Sequence, residues 1–138
     1  MKTEAWFDGA CGPRNPGGHT SCSAVVKQDG QDVFVHNAYL GHGENMSNNV
    51  GEYSGIILVL TWLISHPNVD YCTIYGDSKL VIYQLLGKWQ VHKGMYKPYY
   101  EMAMKLYEPI KHRIKLKLIP RHLNEQCDAL SKQILREQ

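Results

Sequence analysis

The sequence has no apolar run long enough to cross a membrane as a helix. The longest run, Ile56–Ile64, is already interrupted by Thr61, whereas a membrane helix needs about 20 consecutive apolar residues. The first residues, MKTEAWFDG, contain one Lys but no apolar segment of the kind that a secretory signal requires. We therefore expect no membrane association and a cytoplasmic location.

Closely spaced cysteines and a large net charge are also missing. The four cysteines (11, 22, 72 and 127) form no CxxC pair, which argues against a disulfide scaffold or a zinc ribbon. Fifteen basic and thirteen acidic residues leave a net charge of +2, too small to indicate a nucleic-acid-binding protein by itself. With 43% hydrophobic residues over 138 positions, the composition predicts one globular domain spanning residues 1–138.

The order of the predicted elements indicates an α/β fold. Three β-prone runs at 3–10, 21–28 and 32–40 are joined by short turns and are therefore expected to be antiparallel. Six further elements follow, namely a helix at 50–64, a strand at 71–75, helices at 78–86 and 98–112, a strand at 114–118 and a final helix at 124–136. This order predicts a five-stranded mixed sheet, with three antiparallel strands followed by parallel ones, flanked by helices.

Four carboxylates stand where an α/β sheet tends to form a site. Asp8 lies on the first strand and Asp77 directly follows the fourth, while Glu52 and Asp128 lie in the first turns of two helices. Carboxylates a few ångströms apart repel each other by about 4 kcal/mol per pair at an effective dielectric near 20. A divalent cation removes that repulsion, and a set of oxygen ligands favours Mg²⁺ or Mn²⁺ over Zn²⁺. Two such ions suit in-line phosphoryl transfer.

Each of these acids also has a purely structural interpretation. Glu52 stands three residues after Asn49, as in a capping box. Asp77 could cap a helix, Asp128 could interact with a helix dipole, and Asp8 could form an Asx turn. Taken singly, the structural interpretation is favoured for each. The four together favour a metal site, because Asp8 lies in an apolar run where an isolated buried carboxylate is costly.

Four short motifs strengthen the metal-site hypothesis. They are FDGACGPRNPGG at 7–18, SNNVGEY at 47–53, YGDSKLV at 75–81 and PRHLNEQCDAL at 120–130. In this order and on these elements, they resemble type 1 ribonuclease H over essentially the whole chain. The resemblance implies the ribonuclease H-like fold and an endonuclease that cuts the RNA strand of RNA–DNA hybrids, leaving 5′-phosphate and 3′-hydroxyl ends.

The same resemblance implies a role for each acid. Asp8 would bridge two Mg²⁺ ions, for which Mn²⁺ is a possible substitute. Asp128 would help to hold the ion that activates the attacking water, and Glu52 and Asp77 would hold the ion at the leaving 3′ oxygen. His122 stands only six residues before Asp128. It would assist product release or is simply a surface residue.

The implied partner is an RNA–DNA hybrid duplex. By resemblance, Asn15, Asn48 and Asn49 would recognise ribose hydroxyls and minor-groove edges, which suits an amide with donors and an acceptor. Ser47 would bind a DNA phosphate.

On the DNA strand, Trp89 would pack against sugars with Lys88 and Lys93 beside it for phosphates. The alternative for Trp89 is a buried position at a helix end. Lys79 stands where the family often has Gln and would contact a phosphate. The basic helical protrusion that many bacterial members carry after this Trp is missing, so weaker hybrid binding is expected.

Two other functions stay open, namely a non-catalytic hybrid-binding module and a DNA-cutting nuclease on the same fold. Retention of all four acids argues against the first, because the cluster is unfavourable without metal ions. The pair Asn48-Asn49 before Glu52 argues against the second, because recognition of ribose has no purpose on DNA. We expect the protein to be a monomer.

Overall fold

The computed structural model describes residues 1–138 and contains one mixed sheet with the strand order β3-β2-β1-β4-β5. The strands are β1 (Thr3–Gly12), β2 (His19–Gln28), β3 (Gln31–Gly41), β4 (Cys72–Gly76) and β5 (Ile114–Leu118). The helices are α1 (Asn48–Ile64), α2 (Lys79–Leu85), α3 (Lys97–Tyr107) and α4 (Glu125–Arg136). The predicted fold class is confirmed: β1, β2 and β3 are antiparallel, and β4 and β5 run parallel to β1.

The central strand β1 places two of the acids side by side. It pairs with β4 in parallel, and Trp6 lies opposite Tyr75 in the last pair of that register. Asp8 and Asp77 each stand two residues beyond this pair. Because the carboxyl ends of parallel strands meet at one edge of the sheet, the two carboxylates lie in the crevice where open sheets bind ligands.

Helix α1 packs unusually closely against β1. A Cβ atom on Gly9 would overlap the backbone of Gly51, and a Cβ atom on Gly51 would lie 2.6 Å from the carbonyl oxygen of Ser21. These two glycines therefore allow the backbones to touch. The close approach brings Glu52, the next residue of α1, against β1.

The core lies between the sheet and the first three helices. Phe7 of β1, Ile74 of β4 and Ile56 and Leu60 of α1 are fully buried in it. Helix α4 packs on β1, β2 and β3, where Ser23 and Ser131 share a buried hydrogen bond of 2.7 Å. No helix is both long and apolar enough to span a bilayer.

Two sequence expectations were wrong in detail. The third helix was predicted to reach residue 112, but α3 ends at Tyr107 and residues 108–113 form a 3₁₀ segment. Pro109 explains the early end, because proline has no N–H to donate and its ring clashes with the preceding turn. Trp6 stands in the apolar run before Asp8 and was expected to be buried with it, yet it is half-exposed and stacks on Tyr75 with ring centroids 5.1 Å apart.

Candidate active site

Three of the four predicted acids form one cluster at the carboxyl edge of β1 and β4. Asp8, Glu52 and Asp77 each offer a carboxylate oxygen, and these three oxygens lie within 4.8 Å of one another. Asp8 is 2% exposed and Glu52 is 5% exposed, whereas Asp77 is half-buried at the wall of the cleft. The cluster is therefore a largely desolvated acidic site that opens on one side.

Burial and nearby negative charges make Asp8 and Glu52 weaker acids than usual by raising their pKa. Burial, with the neighbouring Asp77 charge as the second cause, raises the pKa of Asp8 to about 7. Burial also raises the pKa of Glu52 well above its usual range, and the charges of Asp8 and Asp77 add to that effect. Without a cation, the protein disfavours the full negative charge of this cluster near neutral pH.

Two oxygens of the cluster have no partner within the chain. Asp8 Oδ2 and Glu52 Oε2 are buried, and neither accepts a hydrogen bond. Buried polar atoms in folded proteins are nearly always paired, so unpaired ones require an explanation. A divalent cation with oxygen ligands would satisfy both atoms and offset the repulsion. The residues of the cluster thus fit such an ion.

The helix caps are made by serines and not by the acids. Ser47 caps α1 by accepting from the amide of Val50 at 3.2 Å, and Ser78 caps α2 by accepting from Val81 at 3.2 Å. The expected capping box with Asn49 is therefore wrong, because α1 already includes Asn49. Asp77 precedes Ser78, the cap of α2, and its carboxylate belongs to the cluster.

Asp128, the fourth acid, flanks the cluster without belonging to it. Asp128 Oδ2 lies 3.0 Å from Lys132 Nζ, one turn further along α4. Arg121 Nε lies 4.0 Å from Asp128 Oδ1 and 3.8 Å from Asp77 Oδ2. The guanidinium of Arg121 thus lies beside both carboxylates. The Arg121 side chain is 71% exposed, so it is free to move.

Asn124 is a site residue that the sequence reasoning missed. The predicted final helix begins at Asn124, the position of a helix cap, but the Asn124 side chain makes no cap hydrogen bond. Instead Asn124 Nδ2 donates to the carbonyl of Phe7 at 2.9 Å and to Asp77 Oδ1 at 3.2 Å. Asn124 is 2% exposed, and its Oδ1 is another buried oxygen without a partner. The available signal was the motif Asn124-x-x-x-Asp128, whose spacing places both residues at one end of α4.

An open cleft of about 660 Å³ adjoins the cluster. Its lining combines Glu52 and Asp77 with three of the predicted substrate-binding residues, Asn48, Asn49 and Lys79. Arg121, which was not predicted, lines it as well. The N-terminal part of α1 therefore presents amides and a carboxylate to the same space.

Two predicted substrate-binding residues make contacts within the chain beside this cleft. Asn15 is exposed, and its Oδ1 accepts from the amide of Asn48 at 3.0 Å. Ser47 is 8% exposed, and its hydroxyl oxygen is the cap of α1 described above. The turn before β2 is thus joined to the start of α1.

The remaining predicted residues lie outside the cleft. Trp89 is 46% exposed, so of its two interpretations the buried position at a helix end is excluded. Lys88 and Lys93 are exposed beside it. His122 is exposed in the 3₁₀ segment Arg121–Leu123 and lines a separate groove with Trp6.

Comparisons with known proteins agree on one family. A family model described as reverse transcriptase-like matches residues 7–134. The crystal structure of RNase H1 from the halophilic archaeon Halobacterium salinarum NRC-1 is 27% identical, with a TM-score of 0.83 and 100% of both chains covered. The N-terminal RNase H domain of a Mycobacterium tuberculosis protein is also 27% identical with a TM-score of 0.83, covering 96% of this chain and 98% of that one.

A third similar structure contains a nucleic acid. LC11-RNase H1, isolated from compost by a metagenomic approach, was crystallised in complex with an RNA/DNA hybrid. It is 22% identical with a TM-score of 0.83, and the match covers 99% of this chain and 98% of that one. At this identity the likeness shows the fold alone.

Proposed function

Because the chain belongs to the reverse transcriptase-like family as an RNase H1-type protein, we propose that it hydrolyses the RNA strand of RNA–DNA hybrids. The observation that carries this proposal is the convergence of Asp8, Glu52 and Asp77 with two buried, unpartnered oxygens. The hybrid bound to LC11-RNase H1 supports the choice of substrate. We also propose that residues 1–138 act as a single, monomeric ribonuclease H domain.

The cofactor in this proposal is Mg²⁺, with Mn²⁺ as a possible substitute. When bound, two such ions supply activation of a water nucleophile and stabilisation of the leaving 3′ oxygen, which gives 5′-phosphate and 3′-hydroxyl products. Asp8 would hold both ions from its central position, Glu52 and Asp77 would hold one of them, and Asp128 would hold the other. All four side chains supply the hard oxygen ligands that these ions prefer.

Two further side chains position this cluster. Asn124 holds Asp77 Oδ1 by a hydrogen bond while it is itself tied to the carbonyl of Phe7, so it orients the carboxylate toward the cluster. Arg121 lies at the mouth of the cleft within 4.0 Å of both Asp77 and Asp128. Because it is exposed, Arg121 can turn from these carboxylates toward a phosphate of the substrate.

Recognition of RNA is proposed for the amides around the cleft. Asn48 and Asn49 line it directly and offer donors and an acceptor to a 2′-hydroxyl. Asn15 uses its oxygen to bind the backbone of Asn48, which leaves its two N–H donors for the RNA strand. Ser47 retains its hydroxyl hydrogen as a donor to a phosphate.

The DNA strand is proposed to bind beside α2. Trp89 is exposed and can stack on sugars, and exposed Lys88 and Lys93 flank it for phosphates. Lys79 lines the cleft on the same side. His122 is proposed to assist product release, since its exposed imidazole offers a hydrogen-bond donor and an acceptor to the departing product.

One cleavage experiment tests the proposal. End-labelled hybrid, double-stranded RNA and duplex DNA are incubated with the protein, with and without Mg²⁺. We expect cleavage of the RNA strand of the hybrid alone, only with Mg²⁺, and 5′-phosphate ends on the products. Binding of the hybrid without cleavage would indicate a non-catalytic module, and equal cleavage of duplex DNA would refute the proposed substrate.

A further inference from the structure

The loop between α2 and α3, residues 87–96, is held from beneath by one buried amide. Gln84 lies on α2 and is 2% exposed. Its Nε2 donates to the carbonyl of Gln90 at 3.0 Å and to the hydroxyl of Tyr96 at 3.2 Å. That hydroxyl also accepts from the amide of His92 at 3.3 Å. These residues 87–96 are called the Trp89 loop below.

The other end of the Gln84 amide is fixed in the core. Its Oε1 accepts a hydrogen bond from the hydroxyl of Tyr53, a fully buried residue of α1. The ring of Tyr53 stacks on that of Tyr96 with centroids 6.0 Å apart and meets the edge of Tyr100 at 6.0 Å. Gln84 thus connects the Trp89 loop to Tyr53 of α1. Glu52 of the carboxylate cluster is the residue immediately before Tyr53.

The two halves of the Trp89 loop are fixed by different means. In the first half, the amides of Lys88 and Trp89 donate to the carbonyl of Tyr83 at 2.8 and 3.2 Å, and Gly87 takes the positive φ of +77° that ends the helix. In the second half, the only hydrogen bonds of residues 90–93 are those to Gln84 and Tyr96. Removal of Gln84 would therefore leave the second half with one hydrogen bond, from His92 to a Tyr96 hydroxyl that Gln84 no longer holds.

We propose that Gln84 is a positioning residue that holds the second half of the Trp89 loop, residues 90–93, in the conformation in which Lys93 contacts the DNA strand of a hybrid beside Trp89. This inference rests on the proposed function. Trp89 itself is held by the Tyr83 carbonyl and by an edge-on contact with the Tyr83 ring, with centroids 5.3 Å apart, so the part of the loop that depends on Gln84 is residues 90–93. An unstructured loop would have to be ordered when the substrate binds, and that entropy cost weakens binding. Gln84 makes no hydrogen bond to a carboxylate of the cluster, so we expect the effect on KM and not on kcat.

The test uses Gln84→Leu, which has a similar volume but makes none of the three hydrogen bonds. We expect the KM for a hybrid to rise about tenfold with kcat within about twofold of the wild type. By hydrogen exchange of the substrate-free protein, the amide of His92 should exchange at least about tenfold faster.

A matched control separates loop ordering from general destabilisation. Tyr53→Phe removes the bond to Gln84 Oε1 but keeps both bonds from Gln84 to the loop, so exchange in the loop and KM should stay at wild-type values. Tyr96→Phe removes the hydroxyl that joins Gln84 and His92 without opening a large cavity. Tyr96→Phe should also speed hydrogen exchange in the loop and raise the KM. If Gln84→Leu does not fold, Tyr96→Phe is the variant that tests the inference.

Two results would overturn the inference. One is wild-type exchange of residues 90–93 in both Gln84→Leu and Tyr96→Phe. The other is a loss of kcat at unchanged KM, which would place the effect on the reacting centre. Hydrogen exchange is measured without substrate, so it does not depend on the proposed function. If the wild-type protein neither binds nor cuts hybrids, the role in substrate binding is refuted. Faster exchange in Gln84→Leu would still show that Gln84 orders the loop.

Discussion

The carboxylate cluster and the Trp89 loop are built in opposite ways. In the cluster, charged side chains are buried and two oxygens are left without partners, and the backbones of β1 and α1 touch at glycines. In the loop, the chemical groups are exposed, and the buried part is a neutral amide network with its hydrogen bonds satisfied. The cluster thus has oxygens that no group of the chain satisfies, whereas the loop is held by hydrogen bonds within the chain.

The largest expected effect comes from removing one charge of the cluster. Asp8→Asn or Asp77→Asn keeps the shape of the side chain but loses an anionic metal ligand, so single-turnover cleavage should fall by at least about 10³-fold. Binding of a labelled hybrid, measured by fluorescence anisotropy, should survive. Unchanged turnover in either variant would refute the proposed metal roles.

The next effect is a pH dependence of stability in the metal-free protein. The pKa of Asp8 is raised to about 7, so between about pH 4 and pH 7 the folded state binds more protons at this site than the unfolded state. Stability must therefore fall as the pH rises through this window, by an amount on the order of 4 kcal/mol for this group.

Urea denaturation at pH 5 and pH 8, with and without Mg²⁺, measures this dependence. We expect the loss at pH 8 to be reversed by Mg²⁺ and to be smaller in Asp8→Asn, where the raised pKa of Glu52 still contributes. Equal stability of the metal-free wild type at both pH values would contradict the assignment of the burial cost to Asp8.

A packing variant tests whether the contact of β1 with α1 forms the cluster. In Gly9→Ala, the new Cβ would overlap the backbone of Gly51, so the free energy of unfolding should fall by about 3 kcal/mol. Gly12→Ala on the same strand is the control, since its Cβ would lie 3.8 Å from the nearest atom, at the end of the Leu135 side chain. Similar urea midpoints for the two variants would show that the close approach at Gly9 is not required.

The smallest expected effect concerns His122. Because it is exposed and lines another groove than the cleft, His122→Ala should slow multiple turnover by only about two- to fivefold. Single-turnover cleavage should be unchanged if the histidine acts in product release. A steady-state rate equal to that of the wild type would make it a surface residue.

The sheet and the acidic cluster were accessible from the sequence because short-range signals determine them. The β-prone runs and the spacing of apolar residues in α1 were enough to predict a five-stranded mixed sheet with Asp77 directly after its fourth strand. The pairing of β1 with β4, which brings Asp8 and Asp77 together, is a tertiary property. The exact helix ends were less accessible, because Ser47 and Asn49 are both good caps and only the tertiary structure selects between them.

The role of Asn124 shows what sequence reasoning could not supply. Its amide is directed by the carbonyl of Phe7, which is 117 residues away in the chain. A cap and a buried site residue have the same local signature, so the motif alone could not separate them. Gln84 is similar, because its partners Tyr53 and Tyr96 lie on two different elements.

The most direct test of the metal site is a crystal of the protein soaked in Mn²⁺, with anomalous diffraction recorded at the manganese edge. We expect an anomalous peak within coordination distance of Asp8, Glu52 and Asp77, and we expect this peak to disappear in Asp8→Asn. Ordered carboxylates without a peak between them at saturating Mn²⁺, or a peak only elsewhere on the protein, would contradict it.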